Sequence, residues 1–157
     1  MLKVLPENLK KVEDLLDEDY SLLVDLGINL NGNREKELLP AFVLSMYQDG
    51  VNTSYLAAAC QCFYLFFHFH SLKNQEIRKN ILLGDYFFSR FMELLITSGN
   101  ICLLDYFSGF VIEKSQKKDF NKEFALGELL PFISSVLKEA KKETKVRPAK
   151  ELASILS

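Results

Sequence analysis

Between Gly50 and Leu72 the chain carries no Asp, Glu, Lys or Arg. About 20 apolar residues suffice to span a bilayer, and a helix that is apolar all round lies either in lipid or inside a protein core. Asn52, Thr53, Ser54, Gln61, His68, His70 and Ser71 interrupt the segment with groups that lipid tails cannot solvate, which favours the protein core. The expectation is a central helix without a membrane span. The rest of the chain must supply a coat for it.

That coat reads as helices. Apolar residues recur at helical spacing along most of the sequence, and no period-two stretch is flanked by hairpin turns, so the fold class expected is all-α, a helical bundle. Pro6 suits a first helical turn, and Leu9, Val12, Leu16, Tyr20 and Leu23 mark one stripe that ends at the turn-rich Gly27 to Asn33. A second helix is expected from about Glu35 to Gln48, and Thr53 or Ser54 is placed to cap the third, the uncharged one. The fourth spans about Glu76 to Ser98 and stops at Gly99. Asn100 is placed to cap a fifth that reaches about Lys118, so the two form a helical hairpin. A further helix covers Glu128 to Glu143, with Leu130, Ile133, Val136 and Leu137 on one side. Residues 1–157 are expected to form one domain, with Thr144 to Pro148 as a short linker and Ala149 to Leu156 as a frayed helix.

Nineteen basic and 21 acidic residues give a net charge of −2, which supplies no positive field for nucleic acid or an anionic membrane. Charges scattered through the first helix interrupt any secretory signal core, and Cys60, Cys62 and Cys102 form no C-x-x-C pair, so a cytoplasmic protein with buried, reduced thiols is expected. His68 and His70 lie two apart, about 200° around a helix, and cannot share a metal. No Gly-rich phosphate loop, nucleophile elbow or zinc spacing is present.

Gly84 sits inside a strong helical pattern at a cost of about 1 kcal/mol relative to alanine, which close approach of a neighbouring helix would offset. Asp85 is placed to bond Ser89 or pair with Arg78. On a helical wheel the apolar residues of the fourth helix, from Leu83 through Phe87, Phe91 and Gly84 to Phe88, Ile81 and Met92, span about 180°, against roughly 100° for an ordinary core stripe. The fifth is broader still, with Tyr106, Phe107, Phe110 and Ile112 around it. This width implies a partner surface built from Gly84, Phe87, Phe88, Phe91, Tyr106, Phe107 and Phe110.

The run Ile81-Leu82-Leu83-Gly84-Asp85-Tyr86 resembles the helix that follows the first aspartate-rich motif of trans-polyprenyl diphosphate synthases, and Ala57 through His70 resembles the helix that precedes it. The resemblance covers roughly Gly27 to Lys118 and implies the N-terminal half of the isoprenoid synthase fold. At the positions of the Asp-Asp-x-x-Asp box, which in that family holds Mg²⁺, stand Ser71, Leu72, Lys73, Asn74 and Gln75. Mg²⁺ requires hard oxygen ligands, so no metal or other cofactor is expected in this chain. The family's second diphosphate site aligns with Arg34 to Pro40. Lys36 and Pro40 match, but Glu37 and Leu39 replace its arginines, and a carboxylate repels a diphosphate. No Asp-Asp-x-x-Asp run occurs among the 157 residues.

The resemblance therefore implies a small, non-catalytic subunit of a heteromeric long-chain polyprenyl diphosphate synthase. A larger catalytic subunit would bind Mg²⁺ and elongate the prenyl chain for a quinone such as menaquinone, and this chain would stabilise it and help set product length. The fourth and fifth helices are also where that family's dimers are built. The alternatives are a helical adaptor on the same scaffold with no role in synthesis and a prenyl-lipid-binding protein using the 13 phenylalanines.

Overall fold

The computed structural model describes residues 6–28, 30, 32–46, 52–71, 76–114 and 125–146. Seven α-helices and no strand are found among them: α1 (Pro6–Leu15), α2 (Asp17–Asp25), α3 (Gly32–Met46), α4 (Thr53–Ser71), α5 (Ile77–Thr97), α6 (Leu104–Lys114) and α7 (Leu130–Val146). A 3₁₀ turn at Ile101–Leu103 leads into α6, and a π-helical turn at Ala125–Leu129 leads into α7. The protein is an all-α bundle.

The first expected helix is two segments. At Leu16 the backbone sits at φ −105°, ψ 6°, and its N–H is shared between the carbonyls of Val12 at 3.1 Å and Glu13 at 3.2 Å. The joint lets Asp17, Glu18 and Asp19 fall in the first turn of α2, where negative charge suits the helix dipole. Both long glycine stops behave as their sequence implies. Gly27 (φ 75°) and Gly99 (φ 78°) take the left-handed conformation that side chains disfavour. Around them Ile28 N–H bonds Leu23 O and Gly27 N–H bonds Val24 O, with Asn100 to Leu95 and Gly99 to Ile96 repeating the pattern, so each closes a helix with a Schellman motif.

The expected caps differ. Asn100 makes no capping bond to the turn it precedes, because its amide donates back to Ser98 O and Ser98 Oγ. Thr53 is buried at the start of α4, and its hydroxyl makes no hydrogen bond there. The last helix continues past Glu143 to Val146, and residues 147–157 lie outside the described residues, as do 115–118 of the expected fifth helix.

Helix α4 is the centre. Leu56 through Leu65 are buried without interruption, with Gln61 fully buried among them, while Tyr55, Phe66 and His68 are half-buried and His70 is exposed near its end. It packs most extensively on α5, then on α3 and α1. Phe63 collects the surrounding helices, with ring centroids 4.9 Å from Phe91 of α5 and 4.8 Å from Phe107 of α6. Phe69 stacks on Phe87 at 5.6 Å, and Phe132 of α7 stacks on Phe110 at 4.3 Å. Such ring pairs contribute about 0.5–1.5 kcal/mol beyond the area they bury. No helix among the described residues is long and apolar enough to cross a membrane.

The wide apolar arc of α5 is occupied from inside. Phe87 and Phe91 are fully buried, and Gly84, Phe107 and Phe110 are buried with them, so these residues of the expected partner surface are core. The width arises because α5 contacts α4 along its length while Arg90 and Tyr86 reach α1–α2 and Phe91 reaches α6, so several neighbours together cover about half of its circumference. Of the expected set, Tyr106 remains exposed and Phe88 half-buried. α5 also exposes apolar residues outside that set: Ile77 and Ile81 within the arc, and Leu82, Tyr86 and Ile96 beyond it.

Phe91→Ala is accordingly expected to lower the free energy of unfolding by about 3–5 kcal/mol, the usual cost of emptying a packed aromatic site, whereas Leu82→Ala should stay within about 0.5 kcal/mol of the parent. Chemical denaturation of both variants checks this, and a tolerant Phe91 would place that ring outside the core.

Candidate functional site

Lys36, Glu37 and Leu39, the described residues aligned with the second diphosphate site, do not face one pocket. All three lie on α3, and the helix sends them different ways. The Lys36 ammonium sits 4.9 Å over the Tyr20 ring, while Leu39 is buried in the core. Burial raises the Glu37 carboxyl above its ordinary value, and a hydrogen bond to Glu13 together with that neighbour's charge raises it further. Of the positions aligned with the aspartate-rich box, Leu72 and Gln75 lie outside the described residues, and Ser71 is described only as the last residue of α4.

Gly84 has a clear steric reason. A Cβ there would collide with the His70 imidazole, so glycine is what lets that side chain of α4 lie against α5. His70 Nε2 is 3.1 Å from Asp85 Oδ1, and the imidazole also packs on Phe66 at 4.9 Å. Asp85 therefore reaches across to α4, rather than to Ser89 or Arg78 on its own helix, because the missing Cβ brings the imidazole within range. His68 stacks on Tyr64, facing another way, and no group of three or more His, Cys, Asp or Glu side chains is arranged to hold a metal among the described residues.

The most developed polar constellation is one that motif reading does not single out. Asp19 of α2 is 2% exposed. Its Oδ2 accepts from Arg90 Nε at 3.2 Å and its Oδ1 accepts a short hydrogen bond from the Tyr86 hydroxyl. Arg90 also donates through Nη2 to Leu15 O at 2.8 Å and pairs through Nη1 with Glu93 at 3.1 Å. About three turns toward the start of α5 from Arg90, Lys79 Nζ donates to Leu26 O at 2.9 Å at the C-terminus of α2. The contacts from Leu15 to Leu26 thus meet α5 from Arg90 back to Lys79, an antiparallel arrangement. Spacing alone does not separate the two candidates, since Val12, Leu16 and Leu23 fit Asp19 (4-3-4) as well as Tyr20 (4-4-3); the structure buries Asp19 and half-buries Tyr20.

Beside this pair lies an open cleft of about 310 Å³ lined by Glu18, Asp19, Tyr86, Ser89, Arg90 and Glu93. Burial raises the Tyr86 phenol, and the hydrogen bond to and charge of Asp19 raise it further. Burial lowers Arg90, but Asp19 outweighs it and the net shift is upward. Under the cleft the Cys62 thiol is raised, by burial first and the Asp19 charge second, and burial pushes Cys60 up to about 12. Neither is a reactive thiolate at neutral pH. Cys102, expected to be buried, is exposed on the turn before α6. With Arg90 committed to Asp19, Glu93 and a backbone carbonyl, the cluster clamps α1–α2 to α5 and offers no activated nucleophile.

No protein-family model matches the chain, and no significant match is found to a curated protein or to a solved structure.

Asp19→Asn and Arg90→Gln should each lower the unfolding free energy by about 1–3 kcal/mol, because the surviving charge stays partly buried without its partner. The double variant should fall short of their sum, with a coupling of about 1 kcal/mol or more. Additive losses would mean that the two groups act independently. For Glu37 the sign follows from a raised folded-state value: the fold disfavours the carboxylate, so stability from this group increases as pH falls toward the ordinary value near 4.3 and below. Glu37→Gln should therefore raise the unfolding free energy at pH 7 slightly, by under about 0.5 kcal/mol since solvent screens the group, and give no gain at pH 3.5. A gain that persists in acid would contradict repulsion by Glu13.

Proposed function

We propose that this chain is a non-catalytic small subunit of a heteromeric trans-polyprenyl diphosphate synthase, and that it acts in the cytoplasm. The observation that carries the reading is the junction of the two motif-bearing helices. The segment Leu82 to Tyr86 lies on α5, directly against the end of α4, and Gly84 and Asp85 make a close, specific contact with His70. The sequence supports the missing chemistry, since Ser71, Leu72 and Gln75 stand where Mg²⁺ needs carboxylates. Dispersal of Lys36, Glu37 and Leu39 over α3 fits a chain that does not grip a diphosphate there. A larger chain with two Asp-Asp-x-x-Asp motifs would bind Mg²⁺ and perform the transfer, and this one would stabilise it and influence product length.

The partner contact belongs on what α5 and α6 leave uncovered. Leu82 is 69% exposed, Ile112 is 74% exposed, and Ile77, Ile81, Tyr106 and half-buried Phe88 add apolar surface. This replaces Phe87 and Phe91 as contact residues, since a charge at either would disrupt the core before it disrupted a complex.

Incubated alone with farnesyl diphosphate, isopentenyl diphosphate and Mg²⁺, the chain should give no elongated product, whereas the same mixture with a co-purifying chain bearing both aspartate-rich motifs should. Turnover by the pure chain would refute the non-catalytic assignment. Co-purification only with an unrelated protein would favour an adaptor. Leu82→Glu should leave circular dichroism and melting unchanged while weakening the complex more than tenfold, because an interface anchor is worth about 2 kcal/mol or more. Unchanged affinity would remove this face from the contact.

A further inference from the structure

We draw no further inference here: the strongest candidate, the open polar cleft between α2 and α5 beside Asp19, Tyr86 and Arg90, belongs to the clamp already described, and nothing in the structure shows a ligand that its three carboxylates and committed guanidinium would take.

Discussion

An uncharged helix has no side on which it can meet water cheaply, and α4 forces every other element to become part of its coat. Burying one Phe or Leu side chain fully is worth about 1.5–3 kcal/mol, and Leu56, Phe63, Leu65 and Phe69 are all buried along this one helix. The coat follows from that demand. α5 covers the longest line of it, α3 and α1 cover further sides, and α6 reaches it through Phe107 against Phe63 and Phe110 near Phe67. Phe132 of α7 then stacks on Phe110, so the last helix joins through the aromatic cluster and through its packing on α3. Aromatic rings suit this role because a ring can meet several helices at once, in edge and stacked contacts with different neighbours.

Helix existence and most helix ends were legible in the sequence because local chemistry decides them. The glycines at 27 and 99 stop helices through backbone conformations that few other residues share, and no tertiary contact is needed to read that. Joints and caps were harder. Leu16 is apolar and has no breaking tendency of its own, so the interruption there has no local sequence signal. Asn100 has cap chemistry, but the Ser98 carbonyl and hydroxyl were nearer partners for its amide.

Five of the seven residues of the expected partner surface are core, and the reason is instructive. A helical wheel counts how much of a circumference is apolar, and it assumes that one neighbour covers one stripe. Here α5 is contacted by α4 on one side, by α6 through Phe91, and by α1–α2 through Tyr86 and Arg90. A broad arc is what such a crowded helix needs to stay dry. Leu82 and Ile96 are informative instead because they are apolar where the wheel already shows Ser89 and Glu93, on the polar side, and the structure leaves them in water. Gly84 implies a close approach, but what approaches is the His70 side chain and not a helix backbone, and that partner, fourteen residues away along the chain, is legible only in three dimensions.

The contacts seen between α2 and α5 are polar, and polar contacts fix a register that an apolar stripe alone would let slide by a turn, about 5.4 Å. The polar contacts would not survive such a shift. Asp19 needs both Tyr86 and Arg90, and Arg90 needs the Leu15 carbonyl left open at the α1–α2 joint. Lys79 in turn needs the Leu26 carbonyl at the far end of α2. With a contact at each end, only one alignment satisfies all of them, and any other strands a carboxylate that is 2% exposed. The buried pair therefore acts more on register than on net stability, where desolvation offsets much of its attraction. Register in turn matters to the proposed contact face, because Tyr86, which bonds Asp19, and the exposed Leu82 lie four residues apart on α5, about one helical turn, so the clamp fixes the helix that carries the face.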